Sequence, residues 1–240
     1  MASAGIRFYT MAASIGNTPT GFSSLECDAP FLTILRHRPD ALIFPRVDVT
    51  APPWWLEEHP DERVIYDDGT AGPQSMFSEV WLKEACDWIE QYSRYIRNSD
   101  YAEHVVGIHI CSGYTGEWQS WGLWDGLRGD WSPAALRAWR QYLRDKYQTS
   151  EELSKAWGSE IDFDRATIPD RTKRERAEKS LLRDAPDYQD VFDFYDFYWR
   201  GTVRAIGELA RAAKRGGGKD WLVGFFYGYG IQYGGKAQES

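Results

Sequence analysis

Strand-like apolar runs alternate with helical apolar patterns along the chain, and this alternation limits the fold more than any other feature. Residues 6–11, 41–49, 104–111 and 221–227 form short apolar runs. Segments with a three- and four-residue apolar repeat separate these runs, as amphipathic helices do. This order predicts an α/β fold in which parallel strands are joined by right-handed crossovers. Because a complete barrel of this type has eight strands, the sequence predicts either a small open sheet or part of a (β/α)8 barrel.

The same periodicity predicts long helices over residues 75–98, 132–147 and 187–215. Ser132 is expected to cap the second of these helices, with Pro133 at its first position. Three consecutive glycines, residues 216–218, are predicted to end the last helix. We find no internal repeat, so we expect residues 1–240 to form a single domain.

Charge and composition argue against several classes of protein. The net charge of −8 is opposite to that of a nucleic-acid-binding surface. No apolar run approaches the eighteen residues that would predict a membrane span. The three cysteines lack C-x-x-C spacing and no histidine pair has metal spacing, so we expect no metal site. The N-terminal residues lack the apolar core of a signal peptide, which favours a cytoplasmic location.

Aromatic residues are unusually frequent, with twelve Trp and fourteen Tyr in 240 residues. An aromatic ring with a polar group suits surfaces that are partly apolar and partly wet, such as the face of a sugar ring. A Trp-rich core is the alternative explanation for any single Trp. Of the adjacent Trp54 and Trp55, we expect only one to face a site and the other to pack in the core.

Candidate functional residues cluster where the predicted strands end, which is where parallel α/β folds place their sites. These positions carry an arginine, two acids, a histidine and several aromatic residues. The candidates are Arg46, Asp48, Trp54, His109, Tyr114, Glu117, Trp118, Tyr227 and Tyr229. Such a set is typical of a carbohydrate site. Glu117 follows glycines at the end of a strand, where a partly buried carboxylic acid suits general acid catalysis.

Each of these residues also has an interpretation without function. Glu117 also fits the alternative of a solvated loop residue. Asp48 suits the capping of a loop or an ion pair with Arg46. His109 lies inside an apolar strand, where a hydrogen-bonded core histidine is at least as common as a catalytic one.

The order of several segments resembles barrel glycosidases, and most closely the family-42 β-galactosidases. The matching segments are Ala-Pro-Pro-Trp-Trp-Leu-Glu-Glu-His-Pro-Asp at 51–61, Val-Val-Gly-Ile-His at 105–109 followed by Gly-Glu-Trp at 116–118, the passages 139–147 and 151–158, and the stretch from Asp187 to 227. The resemblance implies a partial (β/α)8 barrel comprising strands two to five. It also implies that Glu117 is the acid/base residue.

Two departures from the family pattern concern the chemistry. The family usually has Asn directly before its acid/base Glu, where it bonds the sugar 2-hydroxyl, and this chain has Gly116. The nucleophilic Glu of the family lies on strand seven, which has no counterpart here. Asp48 is the only well-placed second carboxylate. Its separation from Glu117 is expected to be about 6.5–9.5 Å, as in inverting enzymes, whereas retaining enzymes need about 5–5.5 Å.

The sequence therefore predicts a glycoside hydrolase that cleaves O-glycosidic bonds without a cofactor. Arg46, Trp54, His109, Tyr114, Trp118, Tyr227 and Tyr229 would then bind the carbohydrate. The alternatives are a non-catalytic carbohydrate-binding module or a truncated, inactive fragment of a larger glycosidase. The missing nucleophile favours these alternatives, whereas Glu117 favours the enzyme. Because a partial barrel leaves strand edges unpaired, we also expect a homo-oligomer that covers the missing half.

Overall fold

The computed structural model describes residues 5–175 and 187–227. Its strands are β1 (Phe8–Ala13), β2 (Asn17–Thr18), β3 (Gly21–Phe22), β4 (Leu42–Asp48), β5 (Arg63–Ile65), β6 (Ala71–Gln74), β7 (Gly107–Cys111) and β8 (Leu222–Gly224). Its α-helices are α1 (Ala29–His37), α2 (Pro53–Glu58), α3 (Glu79–Arg97), α4 (Pro133–Tyr147), α5 (Ser150–Trp157), α6 (Arg171–Glu175) and α7 (Gln189–Gly217).

Four strands form one parallel sheet in the order β1–β4–β7–β8. Ala12 lies opposite Arg46, Arg46 opposite His109, and His109 opposite Gly224. Helices follow β1, β4 and β7 along the chain, so the predicted α/β fold with parallel strands is confirmed. The hairpins β2–β3 and β5–β6 are two-stranded antiparallel additions.

The two faces of the parallel sheet differ in burial. The apolar run at 41–49 predicts a strand covered on both faces, but in β4 only Ile43, Pro45 and Val47 are buried. Leu42 and Asp48, on the other face, are exposed. We call this second face the inner face. It carries Phe8, Leu42, Phe44, Arg46, Asp48, His109, Cys111 and Leu222, with Phe226 just beyond β8.

The described residues divide into two compact units. Unit 1 comprises 5–55, 80–118 and 205–226 and contains the whole parallel sheet. Its core contains buried tryptophans with hydrogen-bonded indole N–H groups. Trp81 donates to the Val49 carbonyl at 3.0 Å, and Trp55 donates to Glu84 at 2.8 Å.

Unit 2 comprises 56–79, 119–175, 187–204 and 227, and its core is built from aromatic residues on α4 and α7. Trp139 is fully buried, and its ring lies 5.2 Å from that of Phe197. Phe197 in turn stacks on Phe77 at 4.2 Å. The expectation of a single domain over residues 1–240 stays a prediction.

Helix ends follow local chemistry closely. Ser132 caps α4, accepting the Ala135 N–H at 3.1 Å, as predicted. Helix α7 continues through Gly216 and Gly217, so only Gly218, with φ +113°, ends it. Glycine at position 216 instead allows close packing against α3, because a Cβ there would lie 2.3 Å from the Glu90 carbonyl oxygen. Within the described residues, no helix is long and apolar enough to cross a lipid bilayer.

Candidate active site

Neighbouring strands place several candidate residues side by side on the inner face. Arg46 and Asp48, at the end of β4, lie opposite His109 and Cys111 of β7. Both strands are parallel and end at the same edge, so their polar side chains meet there. The structure therefore brings together Arg46, Asp48 and His109, which the sequence singled out separately.

Arg46 and Asp48 have separate partners. The Arg46 guanidinium carbon lies 5.0 Å from the centre of the Phe226 ring, a cation–π distance. Asp48 instead accepts the backbone N–H of Thr50 at 2.8 Å, which caps the loop after β4. Within the described residues we find no ion pair between Arg46 and Asp48.

His109 is nearly enclosed by aromatic rings. It is 6% exposed, its ring lies 4.3 Å from that of Phe226, and the edge of Phe44 is close by. Burial lowers the pKa of His109, and the charge of Arg46 lowers it further. The imidazole is therefore neutral at pH 7. Its Nε2 atom has no hydrogen-bond partner among the described residues.

Glu117 sits in a tight turn that follows β7. Gly113, Thr115, Gly116 and Trp118 all have φ between 57° and 76°. The Glu117 N–H donates to the Tyr114 carbonyl at 3.2 Å, and the Trp118 N–H donates to the Ser112 carbonyl at 2.7 Å. The turn therefore holds the half-buried Glu117 side chain close to the end of the strand.

Cys111, which the sequence analysis did not single out, lies opposite Asp48 and against the turn that carries Glu117. Burial raises the pKa of its thiol, the charges of Asp48 and Glu117 raise it further, and a hydrogen bond from Arg46 lowers it. The signal in the sequence was position alone, because Cys111 follows His109 by two residues and shares its face of the strand.

The aromatic candidates divide by position. Trp118 is 2% exposed, and its indole N–H donates to the Ile110 carbonyl at 3.0 Å. Trp54 is half-buried, with its ring centre 6.3 Å from that of Trp88 in an edge-on arrangement, whereas Trp55 is fully buried. Tyr114 is half-buried in the turn that carries Glu117.

The two tyrosines after β8 are not part of unit 1 as the structure describes it. Tyr227 belongs to unit 2, where burial raises its pKa, and Tyr229 lies outside the described residues. Across the described part of the chain, no group of three or more His, Cys, Asp or Glu side chains could hold a metal ion.

Comparison with known families supports a glycosidase fold. The family model described as β-galactosidase, glycoside hydrolase family 42, matches residues 41–198. The chain belongs to this family. The matched residues include Arg46, Asp48 and His109 as well as the Glu117 turn. No curated protein matches the chain.

Solved structures extend the match over nearly the whole chain. The β-galactosidase of the psychrophilic Marinomonas ef1 aligns with a TM-score of 0.71 at 18% identity, covering 93% of this chain and 33% of that one. An exo-carrageenase of family 42 from Bacteroides ovatus aligns at 0.61 and 12% identity, covering 97% and 30%. The catalytic domain of a β-amylase from Paenibacillus polymyxa aligns at 0.72 and 15% identity, covering 93% and 60%.

These alignments establish a partial (β/α)8 barrel, as the sequence predicted. The chain spans about a third of the length of the family-42 structures that it matches. At identities of 12–18% the likeness is one of fold, and the three proteins carry the names of different enzymes.

Proposed function

We propose that this family-42 chain is a glycoside hydrolase that cleaves O-glycosidic bonds and that Glu117 is its general acid/base. The observation that supports the proposal is that Asp48 ends β4 opposite Cys111, while the turn that carries Glu117 packs against Cys111 at the same C-terminal edge of the parallel sheet. Paired carboxylates at this edge are the groups that glycoside hydrolysis requires.

The chemistry needs one carboxyl group that gives a proton and one that is ionised. Glu117 protonates the glycosidic oxygen as the bond to the leaving sugar breaks, and positive charge develops on the remaining ring. Asp48 is the proposed second carboxylate, and it removes a proton from the water that attacks the opposite face of that ring. This route is the inverting one, and neither step involves a cofactor.

The substrate is proposed to be a β-galactoside-like carbohydrate. Arg46, backed by the Phe226 ring, supplies fixed N–H donors next to Asp48. His109, Tyr114 and Trp54 remain the proposed sugar-binding set in unit 1. Trp118 is 2% exposed, so we assign it to holding the Glu117 turn instead. The homo-oligomer stays a prediction.

Glu117→Gln tests the proposal directly. The turnover of glycosides with poor leaving groups should fall about 10²–10⁴-fold, the usual contribution of general acid catalysis. Glu103→Gln is the matched control, because its side chain is 84% exposed and precedes the opposite end of β7. Asp48→Asn should abolish turnover. A wild-type protein without activity on any aryl-glycoside or oligosaccharide would overturn the proposal.

Carbohydrate binding without chemistry is the second candidate. The Phe226 ring is 41% exposed over Arg46, which gives a sugar an open aromatic surface. Titration of the intrinsic Trp fluorescence with galactose- and glucose-type sugars measures this binding. Sugar binding in a wild-type protein that hydrolyses nothing would favour this second function.

A further inference from the structure

The turn that carries Glu117 is tied to β7 at its far end. The Trp118 backbone N–H donates to the Ser112 carbonyl at 2.7 Å, and the Trp118 indole N–H donates to the Ile110 carbonyl at 3.0 Å. These hydrogen bonds fold residues 112–118 back onto the end of the strand. The position of Glu117 therefore depends on what the middle of the turn packs against.

The middle of the turn packs against the side chain of Cys111. A Cβ built on Gly116 would meet the Cβ and Sγ atoms of Cys111, the Sγ at 3.7 Å. Because Gly116 has no side chain, the backbone next to Glu117 lies directly on the cysteine. The size of the side chain at residue 111 therefore limits how closely the turn approaches the sheet.

The parallel sheet holds Cys111 in a fixed place. Its carbonyl accepts the Val49 N–H at 2.9 Å, its register partner in β4 is Asp48, and the residue is 5% exposed. Burial raises the pKa of its thiol, so the side chain is neutral at pH 7. Cys111 is thus an uncharged support of constant size between the strand that carries Asp48 and the turn that carries Glu117.

We propose that Cys111 is a positioning residue for the general acid, whose Sγ atom sets how far the Glu117 turn stands from the sheet and from Asp48. The inference rests on the hydrolase function proposed above. Inverting and retaining hydrolysis differ by only a few ångströms in the separation of their two carboxyl groups. A displacement of about 1 Å can cost about 10²-fold in rate. One γ atom beneath the turn is therefore enough to change proton transfer.

A cysteine that only packs the core would give a different result. Loss of packing lowers the stability of the protein and affects the turnover of all substrates alike. Loss of the position of the acid affects mainly those substrates whose leaving group needs a proton, since an activated leaving group departs without one. The dependence of kcat on the leaving group therefore separates the two roles.

Cys111→Ala removes the Sγ atom and leaves the strand intact. For a glycoside with a poor leaving group, kcat should fall about 10–100-fold with KM near the wild-type value. For a dinitrophenyl glycoside, kcat should fall less than about threefold. Cys111→Ser restores one γ atom and should recover most of the loss.

Cys27→Ala is the matched control for Cys111→Ala. Cys27 is a second buried thiol of unit 1, and its Sγ lies 3.6 Å from the carbonyl oxygens of Ser14 and Ser23. The change removes the same atom from a core of similar burial, away from the Glu117 turn. It should lower the melting temperature and leave kcat unchanged for both leaving groups.

Hydrogen exchange follows the turn without reference to activity. The backbone amides of residues 112–118 should exchange faster in Cys111→Ala than in the wild type or in Cys27→Ala. Unchanged exchange in Cys111→Ala, equal losses of kcat for both leaving groups, or no recovery in Cys111→Ser would overturn the positioning role and leave the hydrolase proposal standing. A wild type that hydrolyses no glycoside would overturn the hydrolase proposal and the role of Cys111 with it.

Discussion

Gly116 lies directly against Cys111, so that a Cβ on residue 116 would stand 3.2 Å from the Cβ of Cys111. Residue 116 also has a φ of +76°, which L side chains rarely adopt. The residue before the acid/base Glu therefore has little room for a side chain. In this turn the Asn that the family usually carries there would meet the same crowding.

Gly116→Ala should destabilise the protein through both strain and crowding. The left-handed φ costs about 1–2 kcal/mol for a residue with a Cβ, and pressing on a packed neighbour adds about 1–3 kcal/mol. Gly126→Ala is the matched control, because Gly126 has a φ of +77° and open space around its missing Cβ. Urea unfolding should show a larger loss for Gly116→Ala, and equal losses would contradict the crowding by Cys111.

Asp193→Asn should destabilise unit 2 strongly. The carboxylate of Asp193 is fully buried and accepts from Lys146 and Tyr147 at 2.6 Å and from Trp157 and Gln189 at 2.8 Å. An amide cannot accept from all four donors, so we expect a loss of about 2–4 kcal/mol, since hydrogen bonds to charged groups contribute about 1.5–3 kcal/mol each.

The control for Asp193 is an acid of the same unit at the surface. Asp164 is 85% exposed and pairs with Arg144. Asp164→Asn should cost less than about 1 kcal/mol, because exposed ion pairs contribute little. Thermal unfolding of the two variants compares a buried, hydrogen-bonded carboxylate with an exposed one. Similar melting temperatures would show that the donors around Asp193 find other partners.

His109 should make the stability depend on pH in the acidic range. Burial and the Arg46 charge lower its pKa from the ordinary value of 6.5, so the unfolded chain binds the proton more readily than the folded chain. Its contribution to stability is present above pH 6.5 and is lost as the pH falls through the folded-state pKa.

The His109 prediction is measured by denaturant unfolding between about pH 7.5 and about pH 5.5. The wild-type protein should lose more stability over this range than His109→Gln, which carries no titrating ring. His37→Gln changes an exposed histidine of α1 and should behave as the wild type does. Parallel curves for the wild type and His109→Gln would place the acid sensitivity elsewhere.

Trp118→Phe should affect catalysis through the position of Glu117 rather than through sugar stacking. Trp118 is 2% exposed and its indole N–H donates to Ile110. The change removes that hydrogen bond, worth about 1 kcal/mol, and loosens the turn that carries the acid. We expect a lower kcat with sugar affinity unchanged in fluorescence titrations. Affinity that falls as far as kcat would instead indicate direct contact between the indole and the sugar.

The sequence predicts the long elements well because their periodicity is strong. Helix α7 is expected at 187–215 and lies at Gln189–Gly217, and β4 is expected at 41–49 and lies at Leu42–Asp48. The hairpin of β5 and β6 is missed, since strands of three and four residues around Pro73 show no alternation. Periodicity predicts where a helix or strand lies, but not what packs against each of its faces.

The candidate site can be predicted from the sequence only in part, for a related reason. The positions of Arg46, Asp48 and His109 at strand ends predict that they lie close together, because parallel strands end at the same edge of the sheet. Sequence alone interprets Asp193 as part of the polar face of a helix, although the structure buries it among donors from α4, α5 and α7. An acid is buried only where distant segments bring donors to it, and no local pattern encodes that meeting.

The left-handed turn around Glu117 has a consequence for attempts to evolve this protein toward heat tolerance. Thr115 and Trp118 hold φ values of 57° and 58°, which disfavour residues with a Cβ. Glycine or asparagine at Thr115 would relax this conformation, so a selection for stability alone should find that position early. A selection that also demands turnover should avoid it if the stiffness of the turn sets where the acid stands. Comparing the two selections would then separate the effect of the turn on protein stability from its effect on turnover.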